Sequence, residues 1–306
     1  MKYIPSQLKP LFPIRFLRRS WKLGRTELAR PEKLYTSQNF QRILETFRKN
    51  FPDYIYFCPF RGKEVVSSPT KTIKTVYVPR GCLQRLLNRK KKDALQNLAS
   101  ELAVTLSKES RVPLDDLGIR GSIALNMHTT KSDVDLAVYG SQNFRTLERV
   151  IAKLDSEGAL SYVYTTRLDR VRKHRGRYKN TIFMYNAVRK IGEISCRYGE
   201  KKYSPVKPVT FNCQVIEDSE AMFRPAIYQI TGYQPLDSIS TLAKEEIPVK
   251  VTSMIGSYRN VARRGEKVKV SGTLERVEDV ETGKIYHQVV IGTGTREDEY
   301  IWPIKN

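Results

Sequence analysis

No apolar run in the 306 residues approaches the ~18–20 needed to cross a bilayer, which excludes a membrane-spanning helix at the level of sequence. Cysteine is scarce: Cys58, Cys82, Cys196 and Cys213 form no C-x-x-C pair, so neither a disulfide framework nor a zinc site is expected. His128, His174 and His287 stand alone and add no metal motif. No internal repeat and no low-complexity segment is present. A secretory leader is not expected, because Arg15, Arg18, Arg19 and Lys22 interrupt any apolar core, and the cytoplasm is the natural compartment. Acidic residues are in deficit, 32 Asp+Glu against 54 Lys+Arg, and the net charge of +22 calls for a polyanionic partner.

The excess is unevenly spread. Residues 1–50 carry +9, 51–100 carry +7, 101–150 carry −1, 151–200 carry +6, 201–250 are neutral and 251–306 carry +1. An acidic island between basic flanks is the layout expected of a metal site that handles phosphates. Scattered solvated charge would give the same totals without that meaning. The C-terminal third, at +1, has no electrostatic case for binding nucleic acid.

Residues 1–36 read as a basic arm, with eight cations and one acid in the first thirty positions and Pro5, Pro10 and Pro13 breaking any helix. Ser37 opens a helix with Phe40, Ile43, Leu44 and Phe47 on one face. Strands are expected over 54–60 and 72–78, then one long helix over 83–107, whose run Arg89-Lys90-Lys91-Lys92 reads as its wet face. A further amphipathic helix carries Phe144, Leu147, Val150, Ile151 and Leu154, and strands are expected over 160–165, 191–198 and 209–216. Beyond residue 245, four short strands punctuated by glycine read as a small antiparallel module, barrel-like in texture. The expected architecture is α+β in three parts: the arm 1–36, a main domain 37–230 and a β-domain 245–306.

The chemistry is concentrated in residues 118–140. From Asp133 to Tyr139, Val134, Leu136 and Val138 alternate with Asp133 and Asp135. On a strand, positions i and i+2 share a face, so the two carboxylates point the same way while the aliphatic residues enter the core. Two adjacent carboxylates repel each other, and a divalent cation removes that conflict. Mg²⁺ takes one or two carboxylates together with water and phosphate oxygens. Upstream, Gly121-Ser122 follows the apolar Leu117–Ile119 and precedes a segment able to start a helix. Glycine lets a phosphate approach the backbone closely, and the serine hydroxyl adds a donor. Lys131 and Ser132 sit just before the carboxylates, within reach of the same phosphates.

This pattern resembles the nucleotidyltransferases of the DNA polymerase β type: a Gly-Ser turn, a gap of ten residues ending at Ser132, then Asp133-Val134-Asp135 on a strand. The resemblance strictly covers about 25 residues. Arg120 departs from it, since the family usually has an apolar residue before the glycine. The resemblance implies a mixed sheet with flanking helices and transfer of a nucleoside monophosphate from an NTP to an acceptor hydroxyl, with two Mg²⁺ ions held by Asp133, Asp135 and a third carboxylate. It implies that Gly121 and Ser122 hold the triphosphate. Glu193 is the choice for the third carboxylate and Glu217 the runner-up. The basic flanks favour a nucleic-acid acceptor, RNA before DNA. The run 167–179, with seven cations in thirteen positions, and Tyr162, Tyr164, Tyr178 and Tyr185 would line the acceptor side, or simply coat a loop and fill a strand. Two other readings remain open: a non-catalytic nucleic-acid-binding protein with a degenerate form of this fold, and an enzyme modifying a protein or small molecule.

Overall fold

The computed structural model describes residues 3–33 and 36–304, and within them the chain is α+β. It divides into two compact units: Thr75–Ser195 is one, and residues 1–74 together with 196–306 form the other. This differs from the three-part expectation because the N-terminal segment joins the unit that contains the C-terminal strands.

The N-terminal segment is a folded layer, not an arm. Strands β1 (Ile4–Pro5), β2 (Trp21–Leu23) and β3 (Thr26–Ala29) pair antiparallel in the order β1-β3-β2. Helix α1 (Ser37–Asn50) is capped by the Thr36 hydroxyl, one residue before Ser37. It buries Ile43 and Phe47 against Ile4, Phe12 and Ala29, with the Phe12 and Phe47 rings edge to face at 5.8 Å. Those apolar anchors, spaced among the cations, are why the segment packs down. Residues 1, 2, 34 and 35 of the expected arm lie outside the described residues. A two-stranded ribbon follows, β4 (Ile55–Cys58) with β5 (Lys63–Val66).

In the 75–195 unit the expected helix over 83–107 is two helices, α2 (Pro79–Leu87) and α3 (Ala94–Ser110). The break comes from Asp93, whose side chain accepts the Gln96 N–H while Gln96 reaches back to the Asp93 N–H, a reciprocal cap that starts a new helix. No strand forms over 72–78, where Val76 and its neighbours stand exposed. Strand β6 (Leu117–Arg120), the single turn α4 (Gly121–Ala124), β7 (Val134–Tyr139) and α5 (Ser141–Ser156) come next. Then follow β8 (Ser161–Tyr162), α6 (Arg167–Arg172), β9 (Arg175–Tyr178) and β10 (Thr181–Val188). The sheet order is β6-β7-β10-β9-β8, with β7 and β10 parallel. Helices α3 and α5 pack together, and Leu102, Leu106, Leu147 and Ile151 close over Ile119, Val134, Leu136 and Val138, all fully buried. On the other face Gly118 admits α2: a Cβ there would lie 2.7 Å from the Pro79 carbonyl carbon.

The C-terminal part of the other unit is a closed barrel. Its strands are β11 (Lys201–Glu217), β12 (Ala226–Pro235), β13 (Lys250–Ser253), β14 (Lys267–Asp279), β15 (Ile285–Ile291) and β16 (Tyr300–Pro303). The order β11-β12-β13-β15-β14 closes when β14 pairs back with β11, and β16 extends the free half of β14. The pair β13–β15 is parallel and the others are antiparallel. Val209, Phe211, Cys213 and Val215 alternate into the interior with Tyr228, Val251, Leu274 and Val289. The barrel therefore begins at residue 201, not 245. Pro205 and Pro208 lie where β11 has only β14 beside it, next to a register shift between Pro205 and Lys207, which is where a strand tolerates proline. Among the described residues no helix is long and apolar enough to cross a membrane.

Candidate functional site

Asp135 sits where the alternation puts it. Val134, Leu136 and Val138 are buried, and Asp135 is part-exposed on the opposite face of β7, with Asp133 one residue before the strand. Antiparallel pairing sets Arg120 of β6 opposite Asp135, and parallel pairing sets Met184 of β10 on its other side.

Gly121 follows Arg120 and turns the chain with φ +67°, a conformation L side chains seldom adopt. A Cβ built on it would lie 2.0 Å from Asp135 Oδ2 and 2.9 Å from its Cγ. The Asp135 carboxylate therefore rests directly on the Gly121 Cα, and only glycine satisfies both the backbone and the contact. Two motif halves that lie ten residues apart in sequence meet here. The carbonyls of Gly121 and Ser122 accept from Leu125 and Met127 N–H groups, at 3.3 and 2.8 Å, which fixes the turn. The return loop is pinned too. Ser132 Oγ accepts the Thr129 N–H at 3.0 Å, and His128 Nε2 lies 2.7 Å from Asp93 Oδ2. Burial pushes the Asp93 carboxyl up, but the Gln96 N–H and His128 outweigh it and hold it below the usual range. Lys131 stands exposed beside this loop.

Glu193 does not join the pair. The expected strand 191–198 is instead a single 3-10 turn, Ile191–Glu193, running into irregular chain, with Ile191 90% exposed and so offering nothing to a core. Glu193 Oε1 accepts the Ser141 N–H at 2.7 Å and the Ser141 hydroxyl at 2.8 Å, and Oε2 accepts the Lys190 N–H at 2.8 Å. It thus caps α5, at the end of β7 remote from Asp135, about 16 Å away along the strand at ~3.3 Å per residue. Partial burial raises its pKa, and these hydrogen bonds more than reverse the shift, leaving it lowered. Close by, Asp116 takes Arg80 at 2.9 Å, Lys190 at 2.5 Å and the Asn143 amide at 2.8 Å, so this end of the strand is a closed structural network. Glu217 belongs to the other unit, at the end of β11, and accepts the Ser219 N–H at 2.7 Å. Hydrogen bonds from Ser219 lower its pKa.

Among the described residues no group of three or more His, Cys, Asp or Glu converges on one point. A cation on Asp133 and Asp135 would complete its shell with water and phosphate oxygens. Asp135 beside the Gly-Ser turn, with Asp133 two residues before it in the chain, offers the hard oxygen donors that suit Mg²⁺ in that manner.

The basic run 167–179 is ordered structure rather than a loop. Thr166 and Asp169 cap α6 reciprocally, and hydrogen bonds from Thr165 and Thr166 overcome burial to bring Asp169 down to about 2. Lys179 pairs with Glu101, and the Tyr178 hydroxyl donates to the same carboxylate at 2.8 Å. Tyr162 and Tyr164 do share a face, stacked at 6.0 Å, while Tyr185 is core. Sequence reasoning missed the neighbours of Asp135: Arg120 and Met184 follow only from strand register, which no local pattern encodes.

No family model matches this sequence, and no solved structure matches it. An uncharacterized protein of Methanocaldococcus jannaschii is 27% identical over 230 residues, spanning 68% of this chain and 64% of that protein's length.

Proposed function

We propose that the 75–195 unit is a nucleotidyltransferase module of the polymerase β type, acting in the cytoplasm on an NTP and an acceptor hydroxyl, RNA first among acceptors. The observation that carries this reading is the Asp135 carboxylate seated on the Gly121 Cα. It brings the Gly121-Ser122 turn against one of the two carboxylates, and a cation–triphosphate complex would use a turn and carboxylates side by side. Asp133 and Asp135 would hold the metal. Mg²⁺, two ions in this reading, supplies charge neutralisation and polarises phosphorus. The first-turn N–H groups at Gly121 and Ser122, the Ser122 hydroxyl and Lys131 would orient phosphate oxygens. Ser132 keeps the loop in place through Thr129. The acceptor oxygen bonds to the α-phosphorus, the bond to the β-phosphate oxygen breaks, pyrophosphate leaves, and the hydroxyl proton passes to a carboxylate or to water.

A specific observation favours a second reading. Met184 takes the β10 position beside Asp135, Arg120 takes the β6 position, and Glu193 is committed to capping α5. A protein so built would bind nucleic acid without transferring a nucleotide to it. Incubation with α-labelled NTPs, Mg²⁺ and total RNA separates the two. Transfer by the wild type that is lost in Asp133→Ala/Asp135→Ala supports the enzyme. Salt-sensitive RNA binding with no transfer, unchanged by Asp135→Ala, supports the binding protein.

A further inference from the structure

Aromatic rings left in water in a group mark an interaction surface more often than chance does. In the unit that holds the barrel, Tyr198 is 68% exposed and Tyr56 is 44% exposed. They are held together, not scattered. Their hydroxyls hydrogen-bond at 2.6 Å, and the Phe60 ring meets Tyr198 edge to face at 5.1 Å. The ribbon β4–β5 is tied to the barrel next to them, since the Tyr203 N–H donates to the Phe60 carbonyl at 2.7 Å.

The rings continue onto the barrel. Tyr203 is in register with Val277, and Val277 with Tyr286, across β11, β14 and β15. The two tyrosines therefore share a face, roughly 10 Å apart at two strand spacings. That face is opposite to the interior residues Leu274 and Val289. Cations accompany each ring. The Arg61 guanidinium lies 4.2 Å from the Tyr203 centroid, and the Lys201 and Lys250 ammonium groups lie 5.3 and 4.7 Å from that of Tyr286. Acids also lie nearby: Asp279, opposite Lys201, accepts from Thr282, buried Glu275 accepts from Gln288, and Glu278 pairs with Arg276. The barrel alone is close to neutral, and the ribbon, residues 55–66, adds Arg61 and Lys63 against Glu64, so the cations that matter on this face are the few that stand beside the rings.

We propose that this face binds single-stranded nucleic acid, with bases stacking on Tyr198 and on the Arg61 plane above Tyr203, and phosphates drawn by Arg61, Lys201 and Lys250. Tyr198 and Tyr56 are exposed, Tyr203 and Tyr286 are half-buried on either side of the buried Val277, and rings so presented beside cations suit a single strand, whose unpaired bases offer π-faces that a duplex keeps stacked. The inference goes beyond the nucleotidyltransferase reading and does not depend on it.

The test is fluorescence anisotropy of the full chain with a labelled 12-nucleotide oligouridylate and with a 12-base-pair RNA duplex over a salt series. The single strand should bind at least tenfold tighter than the duplex. Tyr198→Ala should weaken it roughly 5- to 150-fold, the range for one stacked base, while Tyr198→Phe retains most of the affinity. Arg61→Gln should weaken binding and flatten the log–log salt slope by about 0.7 for one phosphate contact. Phe57→Ala, an equally exposed ring on the other face of the same ribbon, should change nothing. Asp133→Ala/Asp135→Ala should bind like the wild type, which keeps this result separate from the fate of the transfer reaction. No binding, equal affinity for the duplex, or indifference to Tyr198→Ala and Arg61→Gln would overturn the proposal.

Discussion

Replacing Gly121 by alanine perturbs the junction on which the candidate site is built. Two costs follow from the structure. The residue must keep φ near +67°, which costs an L residue about 1–2 kcal/mol. Its Cβ would also fall 2.0 Å from Asp135 Oδ2, so the carboxylate or the turn must move, an overpacking cost of about 1–3 kcal/mol. The lower entropy of the unfolded alanine chain returns about 0.4–1 kcal/mol. For the Thr75–Ser195 unit, about 120 residues, the unfolding entropy is about 0.25 kcal/mol/K, so each kcal/mol lowers Tm by about 4 °C. A net loss of about 1–4 kcal/mol then appears as a fall of about 4–16 °C in calorimetry. The double-mutant cycle is sharper. In the Asp135→Ala background the carboxylate is gone, the backbone and entropy effects cancel between the two arms, and the clash alone remains as coupling of about 1–3 kcal/mol. Distant independent sites add within about 0.3–0.5 kcal/mol. Additivity of Gly121→Ala and Asp135→Ala within that margin would refute the contact and the site geometry with it.

Three further outcomes follow. Gly118→Val should destabilise the same unit by about 1–3 kcal/mol in urea unfolding, because the new side chain meets the Pro79 backbone of α2 at 2.7 Å, and wild-type stability would contradict that packing. The lowered pKa of Glu193 contributes stability that is full above its unfolded value near 4.5 and is lost as pH falls through the folded value. Glu193→Gln should therefore reduce stability by about 0.5–2 kcal/mol at pH 7 and flatten the acid limb of a Tm–pH profile, whereas an unchanged profile would remove it from the α5 cap. Burial pushes the Cys213 thiol up to about 12, and Cys58 and Cys82 are buried as well, so brief iodoacetamide treatment of native protein at pH 8 should label Cys196 alone by mass spectrometry.

The site's local half was legible in the sequence because it depends on short-range periodicity. The alternation from Val134 to Val138 set Asp135 on the face opposite the buried Val134, Leu136 and Val138, and Gly121-Ser122 announced a turn that needs glycine. What escaped was set by pairing between distant segments. Met184 and Arg120 reach Asp135 through register alone, and β12 went unread because its partners are β11 and β13. The stretches 72–78 and 191–198 have strand-like composition, but no neighbouring edge takes them up. The break between α2 and α3 was signalled by Asp93 and Gln96 at cap spacing, hidden beneath the continuing leucine pattern. The basic first segment looked like an arm because its charge is dense, yet Ile4, Phe12 and Ala29 were enough to fold it.

The central claim is that a cation–triphosphate site is formed by Gly121, Ser122, Asp133 and Asp135 without Glu193. Electron paramagnetic resonance of Mn²⁺ titrated into the protein with an NTP tests it most directly. Wild type and Glu193→Gln should sequester Mn²⁺ in an NTP-dependent manner, while Asp133→Ala/Asp135→Ala should leave it free in solution. Binding that survives loss of both aspartates, or that disappears with Glu193→Gln while the fold is retained, would contradict the account.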